Sequence, residues 1–153
     1  MEELTVYQSN LPANIEDLAR FALIGREKMV AVRAEIRAID KLGLAEEVRR
    51  QKLEEGQMIS EAVLDAEVRI GTLLKDVPEQ ITGRPKRESK DSSIPTFKTP
   101  KQEARDSIGI SRKQADRFVQ LAKHPEIVEQ AKAEALRRLF QFQRKAVALC
   151  PKK

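Results

Sequence analysis

Aromatic residues are scarce in this chain of 153 residues. It contains no tryptophan, one tyrosine and five phenylalanines, so aromatics make up 4% of the sequence, whereas 41% is hydrophobic and 35% is charged. Because aromatic side chains supply much of the bulk of a thick core, this shortage favours thin layers of helix packed on helix. The composition therefore predicts an all-α protein and argues against a large α/β enzyme or a β-sandwich.

Cysteine and histidine occur once each, as Cys150 and His124. One thiol forms no internal disulfide and makes no metal site alone. One histidine gives no basis for a metal cluster or for a Ser-His-Asp triad, and the chain has no glycine-rich nucleotide-binding loop. We therefore expect no enzyme activity, no metal and no cofactor.

Long apolar runs are also missing. No segment approaches the roughly 18–20 residues that cross a bilayer. The first ten residues, MEELTVYQSN, are acidic and lack the apolar core of a signal peptide. These features predict a cytoplasmic protein in a reducing compartment, with no membrane contact.

The charge of the chain, +5 overall, is unevenly distributed. Residues 1–76 hold 11 Lys/Arg and 15 Asp/Glu, whereas residues 77–153 hold 18 Lys/Arg and 9 Asp/Glu. A basic C-terminal half favours binding to polyanions, because contacts with phosphates release counterions. The alternative is that a Lys/Arg-rich helical surface only aids solubility.

Two long helices are predicted in the region 1–78. The first begins at the N-cap Asn14, spans 15–41 and ends at Gly43. Its apolar residues alternate spacings of three and four, which defines a seam: Ile15, Leu18, Ala22, Gly25, Met29, Val32, Ile36 and Ile39. The second helix spans 45–77, with its own seam: Ile59, Val63, Ala66, Ile70, Leu73 and Val77.

The two seams fit either an antiparallel hairpin within one chain or a coiled coil between two chains. Each helix has a narrow apolar stripe, so we favour dimerisation as the way in which both stripes become buried. Gly71 lies beside the second seam and is expected to permit a close approach, whereas Gly56 is expected to mark a kink.

Residues 79–98 have no sustained period and are rich in charge, serine, threonine and proline, so they are predicted to be a mobile linker. The Gly-Arg-Pro at 83–85 resembles the core of an AT-hook, in which the arginine enters the minor groove. We favour a simpler role for Arg84, Lys86 and Arg87, as a nonspecific tether to phosphates.

The region 99–153 is predicted to be a helix-turn-helix bundle. Thr99 and Ser111 each cap a short helix, and Gly109 lies in the turn between the two. The second helix would enter the major groove with its polar side: Arg112, Lys113, Gln114, Arg117 and Gln120. The alternative is an ordinary helical corner whose charges are only solvated.

Three stretches together resemble small helical proteins encoded by phages and prophages. They are AVLDAEVRIGTLLKDVP at 62–78, the Gly-Arg-Pro at 83–85 and IGISRKQADRFVQLAKHPE at 108–126. The resemblance covers about residues 28–135, with Phe118 at the position of a tryptophan in those proteins. It implies a helical DNA-binding accessory protein of a mobile element, in a bacterial or phage-infected cell.

We therefore expect a non-enzymatic protein that binds double-stranded DNA, as a regulator or an architectural factor, and that forms a dimer through its N-terminal helices. The alternative is a phage-encoded adaptor or inhibitor whose basic half binds an acidic host protein.

Overall fold

The computed structural model describes residues 11–43, 45–78 and 98–149, with the side chains described as far as residue 138. The described residues form five helices and no strand, so the predicted all-α class is confirmed. The helices are α1 (Ile15–Leu42), α2 (Glu46–Asp76), α3 (Pro100–Ser107), α4 (Arg112–Lys123) and α5 (Pro125–Leu149).

Helix α1 begins at the predicted residue, Ile15, and ends at Leu42, one residue beyond the predicted range, with Gly43 as its predicted C-cap. The Asn14 side chain accepts a hydrogen bond from the backbone N–H of Glu16 at 3.2 Å. Gly43 takes the left-handed conformation, with φ of 61°, and its N–H donates to the carbonyl of Ile39. A side-chain cap at one end and a glycine at the other satisfy backbone groups that would otherwise lack partners.

Helices α1 and α2 form an antiparallel hairpin within one chain. Three ion pairs join them. The later a residue stands in α1, the earlier its partner stands in α2, as antiparallel helices require. The pairs are Arg26 with Glu67, Glu35 with Lys52 at 2.7 Å and Asp40 with Arg49 at 2.7 Å. Of the two arrangements that the seams allowed, the structure therefore contains the hairpin.

The seam residues pack between the two helices of this hairpin. Those buried are Leu18, Ala22, Gly25, Val32, Ile39, Ile59, Val63, Ala66 and Ile70, whereas Ile15, Met29, Ile36, Leu73 and Val77 are half-buried. Leu74 rather than the predicted Leu73 is fully buried, because Leu73 lies at the edge of the same cluster. A partner chain that used this seam would have to displace one helix of the hairpin. Oligomerisation through these residues stays a prediction.

Two glycines set how closely the helices approach one another. A Cβ atom at Gly25 would lie less than 3 Å from the side chain of Val63, so α1 and α2 cross in close contact there. A Cβ atom at Gly71 would lie less than 3 Å from backbone atoms of Phe118 and Val119. The close approach expected at Gly71 is therefore present, and its partner is the backbone of α4.

The C-terminal helices pack on the hairpin. Ala115 and Phe118 of α4 belong to one buried cluster with Leu18 of α1 and with Ile70 and Leu74 of α2. The sequence predicts a helix-turn-helix bundle formed by region 99–153. In the structure α4 packs on α2 of the hairpin, which supplies the apolar surface that the two short helices need.

Helix α5 also lies against α2. Val128 is buried, and the Lys132 ammonium pairs with Asp65 of α2 and, at 3.0 Å, with Glu129. Burial would by itself lower the pKa of Lys132, but hydrogen bonds to the two carboxylates outweigh it and raise the pKa. The pair therefore keeps α5 attached while the lysine stays charged.

None of the described helices combines the length and the apolar character that crossing a bilayer requires.

The predicted linker at 79–98 falls almost wholly outside the described residues. The division of the chain into regions 1–78, 79–98 and 99–153 stays a prediction.

Gly71→Ala is expected to destabilise the protein by about 1–3 kcal/mol, because the added methyl group meets backbone that cannot move aside as a side chain does. Gly56→Ala is the matched control. Its Cβ atom would meet only one Val32 methyl group, at 3.3 Å. Alanine is favoured over glycine in a helix by about 1 kcal/mol, so the control is expected to be neutral or stabilising. Thermal unfolding measures both, and equal stability of the two variants would contradict the close contact at Gly71.

Lys52 provides a test at high pH. Hydrogen bonds to Glu35 and Glu55 raise the pKa of Lys52 from 10.5 to about 12. The stabilisation from this charge is therefore full below pH 10.5 and is lost as the pH rises through about 12. The stability difference between the wild type and Lys52→Met should stay constant from about pH 8 to pH 10 and then shrink. A difference that already shrinks below pH 10 would show that the raised pKa is wrong.

Candidate nucleic-acid interface

The turn between α3 and α4 is closed by backbone hydrogen bonds. Gly109 has φ of 67°, its N–H donates to Asp106 at 3.2 Å, and the N–H of Ile110 donates to Arg105 at 3.2 Å. This pair of bonds is the Schellman motif, which favours glycine at the left-handed position. The turn therefore has one defined geometry, and it sets the direction in which α4 leaves α3.

A reciprocal cap begins α4. The backbone N–H of Gln114 donates to the Ser111 hydroxyl at 3.3 Å, and the backbone N–H of Ser111 donates to Oε1 of Gln114 at 3.0 Å. At the start of α3, the Thr99 hydroxyl accepts from the N–H of Gln102 at 3.3 Å. Both predicted caps are therefore formed, and the amino end of α4 is well defined.

Helix α4 has one buried side and one exposed side. Ala115 and Phe118 face the core. We call the exposed side the polar face of α4, and it consists of Arg112, Lys113, Asp116, Arg117, Gln120 and Lys123. Four of the predicted DNA-binding residues lie on it together. The sequence interpretation did not include Asp116 and Lys123, although the helical period places both on this side.

Gln114, the fifth residue predicted on α4, is half-buried beside the turn. Its side-chain oxygen accepts from the Ser111 backbone and lies 3.0 Å from the Ser111 hydroxyl. A bidentate pair with adenine uses both the oxygen and the nitrogen of the amide. Such a contact would require the cap to open, so a structural role accounts for Gln114 without a ligand.

The basic residues of the polar face are highly exposed. The Arg112 side chain is 85% exposed, and its guanidinium approaches the Asp116 carboxylate only to 3.9 Å. Lys113 and Arg117 make no ion pair within the described residues. An exposed ion pair at such a distance contributes little stability, so these side chains remain able to reorient toward a polyanion.

An open groove of about 800 Å³ separates the polar face from the hairpin. Arg26 of α1 forms part of its wall, where the guanidinium donates to Glu67 at 3.2 Å and lies 5.8 Å from the centre of the Phe118 ring. This contact joins α1, α2 and α4 beside the polar face. Arg26 and Glu67 are 41 residues apart, and no local pattern indicates that they meet.

Other candidate residues have structural roles or fall outside the described residues. Nδ1 of His124 lies 3.2 Å from the Glu126 carboxylate, and its backbone N–H donates to Leu121 at 3.2 Å. Among the residues whose placement is given, no group of His, Cys, Asp and Glu side chains is arranged to hold a metal ion. The basic residues of the linker, Arg84, Lys86 and Arg87, and the thiol of Cys150 lie outside the described part.

Comparison with protein-family models, with curated proteins and with solved structures finds no match to this chain. The phage and prophage resemblance therefore stays a prediction.

Proposed function

We propose that the polar face of α4 binds double-stranded DNA and that the protein is a non-enzymatic DNA-binding regulator or architectural factor. One observation carries the proposal. Arg112, Lys113 and Arg117 are exposed together in the first two turns of a helix whose opposite side is buried in the core. Arginine pairs with guanine and lysine with phosphate, and the amino end of a recognition helix is where such side chains reach base edges.

The charge of the polar face supports a contact that includes base edges. Four basic residues and one carboxylate give it a net positive charge, which attracts the phosphate backbone. Asp116 is repelled by phosphates, but a carboxylate accepts a hydrogen bond from the amino group of cytosine. Asp116 therefore fits an orientation in which the first two turns of α4 point into the major groove, while Lys123 at the far end of the face lies near the backbone.

The position of α4 supports the same function. The cap at Ser111, the turn at Gly109 and the close contact at Gly71 hold the helix at both its start and its middle. A recognition helix that is already rigid loses little conformational entropy on binding. The linker residues Arg84, Lys86 and Arg87 would add phosphate contacts, and this remains a prediction from the sequence.

A protein partner is the second candidate, and the groove beside α4 favours it. The groove contains carboxylates from Glu67 and Asp116 as well as basic side chains from Lys113 and Arg117. Mixed charge of this kind suits a polypeptide with both signs of charge better than it suits a uniform polyanion. This is the adaptor or inhibitor role that the sequence left open.

Arg117→Ala is expected to lose about 1–3 kcal/mol of discrimination between DNA sequences, because it removes a candidate base contact. Lys113→Ala should weaken binding to all DNA sequences alike. It should also reduce the slope of log affinity against log salt concentration by about one. Arg69→Ala, an exposed arginine on α2, is the matched control and should leave DNA affinity unchanged. Fluorescence anisotropy on duplexes of random sequence, repeated across salt concentrations, measures affinity and slope, and selection from the random pool supplies the preferred site.

Thermal unfolding of the same variants separates binding from folding. Substitutions on an exposed surface should change stability by less than about 0.5 kcal/mol. If the wild type does not bind duplex DNA at low salt, the DNA-binding proposal is wrong and the protein partner becomes the better candidate. Binding that neither Arg117→Ala nor Lys113→Ala affects would assign DNA contact to a different surface.

A further inference from the structure

Asp116 is the one acidic side chain of the polar face of α4. Arg112 lies one turn before it and Gln120 one turn after it, each about 40° away around the helix. Lys113 and Arg117 lie on its other flank, toward the groove. A face that bound phosphates alone would bind them more tightly without this carboxylate, because phosphates repel it. Attraction to polyanions therefore does not account for Asp116.

Contacts within the protein do not account for this carboxylate either. The Asp116 side chain is 64% exposed, and its one ion pair among the described residues is with Arg112 at 3.9 Å. Such a pair contributes little stability, and a basic residue four positions before an acidic one is the less favourable order on a helix. The neighbouring carboxylate in the groove, Glu67, is instead 16% exposed and paired with Arg26. Asp116 is thus the carboxylate that remains able to accept hydrogen bonds from a bound molecule.

The four bases differ in what they offer a carboxylate in the major groove. Guanine presents two acceptors, and thymine presents an acceptor and a methyl group. Adenine presents a donor beside an acceptor, whereas cytosine presents only the donor of its amino group. A carboxylate accepts hydrogen bonds and donates none, so acceptor atoms repel it. Cytosine is therefore the base whose edge suits Asp116 best.

We propose that Asp116 determines the sequence specificity of the polar face by selecting cytosine, an inference that rests on the DNA binding proposed above. The guanine paired with that cytosine presents two acceptors, which suit Arg112 or Arg117 on either side of Asp116. One C·G base pair thus satisfies both signs of charge. The carboxylate disfavours other base pairs at this position, so it lowers general affinity and gains selectivity in return.

Asp116→Asn tests the proposal, because it removes the charge with little change in shape. Sites are selected from random duplexes with the wild type and with the variant, and the position at which the two sets differ is the one that Asp116 contacts. There the wild type should favour C·G over other pairs by at least about tenfold, the effect of about 1.4 kcal/mol. Asp116→Asn should lose most of this preference and shift toward adenine, which asparagine binds. It should also bind random duplexes more tightly than the wild type does.

Two further variants and one modified base serve as controls. Asp76→Asn removes the same charge from an exposed carboxylate of α2, outside the polar face, and should leave the base preference unchanged. Asp116→Glu retains a carboxylate and should still favour cytosine. In N4-methylcytosine a methyl group replaces the amino hydrogen that faces the major groove, so this base in the selected site should weaken the wild type more than Asp116→Asn. Circular dichroism checks that each variant remains helical.

The outcomes separate this inference from the function on which it rests. If the wild type does not bind duplex DNA at low salt, the function proposed for α4 is wrong, and the role of Asp116 is wrong with it. If the wild type binds but Asp116→Asn selects the same sequences, DNA binding stands and the assignment of Asp116 alone is wrong. Tighter binding of Asp116→Asn to every sequence alike, with the preference for cytosine intact, would also overturn the assignment.

Discussion

The close contact between Gly71 of α2 and the backbone of α4 is the constraint on which the described structure depends most. It brings Phe118 into the cluster formed by Leu18, Ile70 and Leu74, so the short helices α3 and α4 share the core of the hairpin. Two short helices bury too little apolar surface to be stable alone. The glycine supplies the space for that docking, and the docking in turn fixes which side of α4 faces solvent.

The ion pairs of the hairpin have a different role from its apolar seam. Burial of the seam stabilises the contact between α1 and α2, whereas partly exposed ion pairs contribute less than about 1 kcal/mol each. Their positions still favour the observed register, because in it Arg26, Glu35 and Asp40 all meet partners of opposite charge.

Local signals in the sequence predicted local structure well. Asn14, Thr99 and Ser111 were identifiable as caps, and Gly43 and Gly109 as left-handed turns, because each depends only on residues within a few positions. The polar side of α4 also follows from helical period alone. The docking of α4 on α2 and the contact of Arg26 with Glu67 join residues far apart in sequence, so no local pattern contains them. The pairing of the two seams within one chain had to come from the structure, because the seams are identical in a hairpin and in an intermolecular coiled coil.

Helix α4 meets two requirements with two consecutive residues. Phe118 is buried against α2, while Arg117, one position earlier, is exposed on the polar face. Successive residues in a helix differ by about 100° in direction, which allows one residue to hold the helix and the next to contact a ligand. The side chain that fixes the helix is thus separate from those offered to a partner. Substitutions on the polar face can therefore alter recognition while the contacts at Gly71 and Phe118 preserve the fold.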